Sequence, residues 1–349
     1  MSDVNKLPLL KSAFKLLVDQ LRKEDRVAIV VYAGASGIVL PSTKGSEKQT
    51  IIESLQRLEA GGSTAGAAGL KLAYQVAEQN FMENGNNRII LATDGDFNIG
   101  QSSNAEMERL IETEREKGIS ISVLGFGMGN YKDDKMEIIA DKGNGNYAYI
   151  DNIQEAKKVL VNEFGGTLFT IAKDVKIQIE FNPVKVKEYR LVGYENRLLN
   201  EEDFDNDKID AGELGSGHTV TALYEIVLTD EKEESAIKLK YQTTTVNEFA
   251  VNTNELVNIK LRYKKPDGYK SNLIEAAVVD EATSVSKTSE NFRFSAAVAE
   301  FGMYLRNSEF KGNTSIDSII ELAQNSRSND EEGYRSEFIR LVKSANALK

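Results

Sequence analysis

The sequence predicts two domains. Residues 1–166 read as an α/β fold with a doubly wound, mostly parallel sheet, and residues 167–349 as an α+β fold with an antiparallel, sandwich-like sheet and C-terminal helices. Three observations carry this. Apolar runs of strand length alternate with amphipathic helical stretches through the first half, the pattern of βα units around a parallel sheet. After Gly165-Gly166 the hydrophobic period changes to two, as a strand with one wet face requires. From Asn291 the helical period returns.

A chain of 349 residues is long for one core and suits two domains of about 150 to 180 residues each. No apolar run approaches the roughly 18 residues that a membrane-crossing helix needs, so no transmembrane segment is expected. A formal net charge of -11 and a pI near 5.0 disfavour nucleic acid, whose binding needs clustered Lys and Arg, and favour cations or basic partners. The absence of cysteine removes disulfides, thiolate metal sites and Cys nucleophiles, and leaves the compartment open. The one histidine, His218, lies in a Gly-Ser-Gly-His turn far from any nucleophile-elbow pattern, so neither a Ser-His-Asp triad nor a multi-histidine zinc site is expected. The opening residues, Met1 to Lys6, contain no basic stretch followed by an apolar one, and no export signal is read there.

Taken in order, Leu7, Leu10, Phe14, Leu17, Val18 and Leu21 recur at helical spacing and predict an amphipathic helix from Leu7 to Arg22. Val27 to Tyr32 is an unbroken apolar run, expected to be a parallel strand buried on both faces. Gly34 and Gly37 mark a turn into a shorter strand ending near Leu40, and a helix covers Lys48 to Leu58. A glycine-rich loop, Gly61-Gly62-Ser63-Thr64-Ala65-Gly66, leads into a helix carrying Leu70, Ala73, Tyr74 and Ala77. A second buried strand, Arg88 to Thr93, ends at Asp94-Gly95-Asp96. The alternation continues with a helix over 105–117, a strand over 119–124, a short helix over 135–140, a strand over 147–150 and a helix over 154–164. In such sheets ligands bind at the carboxyl ends of the strands, where Thr64 and Asp94 are both expected.

The two loops Gly61 to Gly66 and Leu91-Ala92-Thr93-Asp94-Gly95-Asp96, with their flanking elements in order, resemble the second and third motifs of von Willebrand factor A domains over roughly Met1 to Phe164. The resemblance implies a divalent cation, Mg²⁺ or alternatively Mn²⁺ or Ca²⁺, held by five side chains. These are an Asp-x-Ser-x-Ser set after the first strand, a Thr in a glycine-rich loop and an Asp after the fourth strand. Thr64 and Asp94 match the last two. Hydroxyl and carboxylate oxygens are the ligand types a hard cation takes. By themselves, Thr64 serves equally as a helix cap and Asp94-Gly95 as a turn.

No Asp-x-Ser-x-Ser stands before the first helix, nor is there a strand to carry it. Met1 resembles the Met that follows that motif in relatives. The expectation is that the sequence starts just past the final serine and lacks three of the five ligands and the central strand, whose place in the family is between Val27–Tyr32 and Arg88–Thr93, so that each of these is left with an exposed edge; a degenerate, metal-free domain is the alternative. Gly125-Phe126-Gly127-Met128-Gly129 departs from the full dinucleotide-loop pattern and reads as a turn, and Gly61 to Gly66 lacks the Gly-Lys-Ser/Thr ending of a phosphate-binding loop.

In the second half, Val175, Ile177, Ile179 and Phe181 alternate with Lys176, Gln178 and Glu180, and Val257, Ile259, Leu261 and Tyr263 do the same. Val220 to Leu228 and Ile237 to Tyr241 add strands, and Lys264-Lys265-Pro266-Asp267-Gly268 is a turn towards another. Phe294, Val298, Phe301 and Leu305 mark one helix face, and Ile316, Ile319, Ile320 and Ala323 a second. A last helix opens with Asn329 and Glu332 as a capping box and carries Tyr334, Phe338, Leu341 and Val342. The stretches 189–197, 203–213, 218–226 and 292–298 resemble a C-terminal domain of unknown function found behind bacterial von Willebrand A domains. The acidic loop Asp203 to Asp207 spaces carboxylates like an EF-hand but has Lys208 at the glycine position and Leu214 at the twelfth, so a solvated loop is expected.

The functional expectation is a non-enzymatic protein-binding and scaffolding protein, gripping a partner's acidic side chain through the cation when the family site is complete. The resemblance adds a location at the bacterial cell envelope. A hydrolase using Asp94 or Asp96 is the rival, and it needs a second convergent group with a tuned pKa that the sequence does not offer. A structural protein with an inert site is the third reading.

Overall fold

The structure is a computed structural model and describes residues 1–32, 36–61, 66–83, 85–95, 104–127, 133–163, 170–193, 198–209, 211–229, 246–266, 268–281 and 283–348. They divide into two compact units: residues 1–175 with 210–219 and 263–271, and residues 176–209 with 220–262 and 272–349.

Unit one opens with helix α1 (Leu7–Gln20), followed by β1 (Arg26–Val31), β2 (Gly37–Lys44), α2 (Lys48–Gln56), α3 (Gly66–Gln79) and β3 (Asn87–Thr93). Then come α4 (Asn104–Glu116), β4 (Ile119–Phe126), α5 (Asp133–Lys142), β5 (Tyr147–Ile150) and α6 (Ile153–Lys157), whose last turn widens into a π-helical segment over Lys158–Asn162. β4 lies between β3 and β5, parallel to both. Its side chains alternate between two cores, as the strand period of two dictates. Ile119, Ile121 and Val123 join Leu70 and Tyr74 of α3, Ile111 of α4 and Ile139 of α5 on one face. Leu124 and Phe126 join Leu10, Ala13 and Leu17 of α1 and Val159 and Leu160 on the other. Helices on both faces of a parallel sheet make this a doubly wound α/β layer.

Among the described residues the five strands fall into two sheets. β1 pairs antiparallel with β2, from Arg26 opposite Lys44 to Val31 opposite Gly37, and among the described residues no ladder joins β1 to β3. The junction is bridged instead by other means. α1 spans it on one face: its Leu10, Ala13 and Leu17 pack with Ile90 and Ala92 of β3, and Val18 packs with Val27 and Ile29 of β1. On the other face α3 lies so close to the end of β1 that a Cβ at Gly69 would fall 2.3 Å from Tyr32 Cβ. Tyr32 itself donates its hydroxyl to the Ala92 carbonyl of β3 at 2.9 Å.

The burial of β1 and β3 corrects one expectation. Val27–Tyr32 and Arg88–Thr93 were expected to be buried on both faces, yet β1 is half-buried throughout except for exposed Arg26, and β3 is half-buried except at Leu91 and Thr93. β4, with a strand on each side, is buried at every residue except Ser120. A strand paired on one side only leaves a row of N–H and C=O groups for water, and burying each of them unpaired would cost about 1–3 kcal/mol.

The remaining strands form a four-stranded sheet ordered β11-β10-β6-β8 and an antiparallel pair, β7 with β9. They are β6 (Thr170–Phe181), β7 (Val186–Val192), β8 (Gly212–Gly215), β9 (Leu223–Leu228), β10 (Glu255–Lys264) and β11 (Asn272–Val279). The expected strand Ile237–Tyr241 lies outside the described residues. The expected wet and dry faces of β6 exchange at one step: Lys176 is buried and Ile177 exposed. The cause is the acidic loop, whose Asp203 and Asn206 carbonyls accept hydrogen bonds from Lys176 Nζ at 2.9 and 2.6 Å. Phe204 is buried in that loop, so it is anchored rather than fully solvated.

After a short helix α7 (Glu248–Asn252), three helices close the chain: α8 (Glu290–Leu305), α9 (Ile316–Asn325) and α10 (Tyr334–Ala347). Their cores hold Ala297, Ala323 and Ile339, and Ile316, Ile319 and Val342. Phe338 meets both Phe294 and Phe301 edge to face, at 5.3 and 5.7 Å. The inward stripe of α8 is therefore Phe294, Ala297, Phe301 and Tyr304, whereas Val298 and Leu305 face solvent, a rotation of the expected face.

The start of α10 also differs. Gly333, in a left-handed conformation, occupies the N-cap, and the Asp330 carboxylate accepts the free N–H groups of Arg335 and Ser336 at 3.1 and 2.7 Å. Asn329 instead donates to Glu331. The reciprocal box is found at α9, between Ser315 and Ser318. Partial burial alone raises the Asp330 carboxyl, but the hydrogen bonds from Ser336 and Arg335 outweigh it and hold the group below its ordinary value. A lowered folded pKa means the contribution is complete above the ordinary value of 3.8 and is lost as pH falls through the lower folded value. We therefore expect Asp330→Ala to destabilise the chain by about 1 kcal/mol in denaturant unfolding at neutral pH, a difference that fades in acid. An equal difference at both pH values would contradict the assignment.

Candidate functional site: a carboxylate and two ammonium groups at the sheet edge

β3 ends in Thr93, whose Cα stands opposite Gly125 of β4, and the chain then leaves the sheet at Asp94. Thr93 is buried, and its Oγ1 accepts the Gly95 N–H at 3.2 Å, which turns the backbone at the carboxyl edge. Gly95 takes a φ of 86°, a conformation that glycine adopts without strain. Asp94 is thereby placed where a doubly wound sheet binds ligands.

The start of α1 meets it there. Asp94 Oδ2 accepts hydrogen bonds from the Met1 α-amine at 3.0 Å and from Lys6 Nζ at 3.2 Å. Both Lys6 and Asp94 side chains are only 18% exposed, so the pair is screened less than a surface ion pair. Asp3 stands at 3.7 Å on the outer side of the same ammonium. Partial burial pushes the Asp94 carboxyl up, and the two ammonium groups, by hydrogen bond and charge, more than reverse this and hold it below the usual carboxylate range.

Two local features position Lys6. It is the N-cap residue of α1 and makes no side-chain capping bond, so its charge lies at the positive end of the helix dipole and needs a carboxylate in answer. Its aliphatic stem runs across Gly127, just past the end of β4; a Cβ there would fall 2.5 Å from Lys6 Cε and 2.7 Å from Cγ, and the residue has a φ of 89°. Neither residue was singled out from the sequence as part of a site. The available signal was the lysine at a helix N-cap, two residues before Pro8, where acidic or hydroxyl side chains are favoured.

Of the two residues expected to ligate a cation, Asp94 is at the sheet edge; Thr64 lies outside the described residues, as does Asp96. Among the described residues no group of three or more His, Cys, Asp or Glu could hold a metal ion. A hard divalent cation takes six or more oxygen ligands, waters included, and the groups that touch Asp94 are positively charged donors. The described residues therefore do not fit that cation as they stand. His218 is exposed, and its backbone N–H donates to the Gly215 carbonyl at 3.1 Å, as expected for a turn.

The von Willebrand factor type A domain model matches residues 2–162, and the model described as Uncharacterized protein YfbK, C-terminal, matches residues 166–348. The chain belongs to this family: a von Willebrand factor A domain followed by a YfbK C-terminal domain. It is 47% identical over 343 residues to Uncharacterized protein YfbK of Escherichia coli (strain K12), covering 98% of this chain and 59% of that protein. It is 31% identical over 154 residues to Uncharacterized protein sll0103 of Synechocystis, covering 44% of this chain and 36% of that one. The chain thus spans 59% and 36% of the length of these relatives. Among solved structures, BatB from Bacteroides thetaiotaomicron is similar at 24% identity and a TM-score of 0.39, over 45% of this chain and 86% of that one. The von Willebrand A domain is the part that carries Asp94, Lys6 and Gly127.

Proposed function

We propose that this bacterial protein is a non-enzymatic binding and scaffolding protein of the cell envelope. It works as two domains, 1–166 and 167–349, and its von Willebrand A domain meets a protein partner's acidic side chain at the carboxyl edge of β3 and β4. One observation carries this reading: Asp94, directly after the last residue of β3, is held as an anion at that edge by hydrogen bonds from cationic nitrogens. Such a position is built to hold positive charge between the domain and an incoming carboxylate. Thr64 and Asp94 would hold Mg²⁺ or Mn²⁺ only together with an Asp-x-Ser-x-Ser set, whose place is the end of a strand between β1 and β3.

An enzyme would need a second group with a tuned pKa converging on Asp94. The groups that bond its carboxylate in the structure are the two ammoniums, which support charge pairing rather than proton transfer.

Supplying the strand tests the reading. A chain extended at its N-terminus by roughly 15 residues, an apolar strand ending in Asp-x-Ser-x-Ser, is expected to show two calorimetric transitions. The one from the α/β domain should rise relative to the unextended chain, with tight Mg²⁺ binding gained at the same time. If the extension changes neither stability nor Mg²⁺ affinity, the assignment of Thr64 and Asp94 fails; one merged transition would refute the division into two domains.

A further inference from the structure

The sheet ordered β11-β10-β6-β8 has two ends, and they differ. β8 has only 4 residues, and its pairing with β6 shifts register between Thr170 and Ala172 and again between Ala172 and Val175, which breaks up the edge it presents. β11, at the other end, runs for 8 residues without proline, glycine, lysine or arginine. All of its residues are exposed, Leu273, Ile274, Val278 and Val279 among them. Among the described residues it pairs only with β10. A long apolar strand with one open edge is a template for another strand, and an edge that has to stay single is normally guarded by lysine, proline or a bulge.

The backbone directions follow from one hydrogen bond. Asp280, just past β11, donates its N–H to the carbonyl of Asn254, just before β10, at 3.2 Å. Backbone groups alternate in direction along a strand, so those of the even-numbered residues face β10, and those of Leu273, Glu275, Ala277 and Val279 face the open edge. A second copy of β11, set antiparallel about a two-fold axis at Ala276, forms hydrogen-bonded pairs of Leu273 with Val279 and of Glu275 with Ala277. Between these, Ile274 lies opposite Val278, and Ala276 lies opposite itself. Apolar side chains then meet apolar ones on both faces. Glu275, the one charged residue of β11, faces Ala277 rather than its own copy, and its carboxylate accepts Asn258 Nδ2 at 2.7 Å within its own sheet. Lys270 precedes the strand, and Asp280 and Glu281 follow it. Antiparallel pairing therefore sets the positive end of one copy beside the negative end of the other.

We propose that β11 is a self-association edge, at which two copies of this chain join antiparallel about Ala276 into one continuous sheet. The proposal does not depend on the reading of Asp94. One strand edge buries less than the roughly 800 Å² per partner of a standard interface, so the dimer is weak, with a dissociation constant of about 10 to 100 μM.

The test is sedimentation velocity of the full chain from about 1 to 300 μM, beside Ala276→Lys, Ala277→Lys and Ala277→Pro, with melting temperatures to check that each variant folds. The parent is expected to pass from monomer to dimer over this range. Ala276→Lys sets two lysines opposite each other at the two-fold axis and should weaken dimerisation by about fivefold. Ala277→Lys meets Glu275 of the second copy, and should leave the dimer as tight as the parent or tighter. Ala277→Pro removes an N–H that serves only the open edge and should abolish dimerisation. A parent that stays monomeric throughout would overturn the proposal; slow exchange of the β11 amides in that monomer would show that the chain itself covers the edge. Dimerisation that survives Ala277→Pro, or that the two lysines weaken equally, would overturn it as well, by placing the contact elsewhere or in another register. If Ala277→Pro does not fold, the two lysine variants carry the comparison.

Discussion

The α/β unit depends on a junction made without a backbone ladder. Between β1 and β3 the sheet has no shared hydrogen bonds among the described residues, and continuity is carried by α1 on one face, α3 on the other and the Tyr32 hydroxyl on the Ala92 carbonyl. Apolar packing is not directional, so it holds two half-sheets side by side but does not satisfy their edges. Backbone N–H and C=O groups are obligatory hydrogen-bonding groups, and those on the facing edges of β1 and β3 have to find water. That explains why β4, of similar apolar composition, is buried while β1 and β3 stay half-wet.

The charge arrangement at Asp94 follows from the same junction. α1 lies across both half-sheets, so its N-terminus arrives at the carboxyl edge beside the end of β3, and the helix start delivers Lys6 and the Met1 amine to Asp94. A carboxylate partly removed from water requires compensation, and here it is met by cations that belong to the chain. Packing of α1 and neutralisation of Asp94 are thus one event: a change that loosens α1 from β3 also releases the carboxylate.

Much of this was legible beforehand. Period and run length placed the helices and strands from α1 to α6 within a few residues, because βα units repeat a strong pattern, whereas β8 (Gly212–Gly215) fell in a stretch read as loop and turn. Asp94 stood out only through the resemblance of its loop to the third von Willebrand A motif; by itself Asp94-Gly95 reads as a turn. Lys6 was not, because its meaning depends on Gly127, more than a hundred residues away, and on where α1 is laid. The burial of Lys176 and the outward Ile177 escaped for a similar reason: alternation along β6 assumes that each face has one solvent, whereas two carbonyls of the 203–206 loop offer the lysine a polar pocket. The capping of α10 turned on which acidic residue reached the free N–H groups, Asp330 rather than Glu332, and Gly333 with its φ of 77° decided that by moving the helix start.

The central claim is that β1 and β3 are open to water along their facing edges. Backbone amide hydrogen exchange, resolved by residue, tests it most directly in the chain as it stands. The account predicts that amides of β1 and β3 directed at the junction exchange faster than those of β4 from Ile121 to Phe126 by at least about tenfold. Equal protection across β1, β3 and β4 would mean that a continuous ladder joins the two half-sheets, and would contradict it.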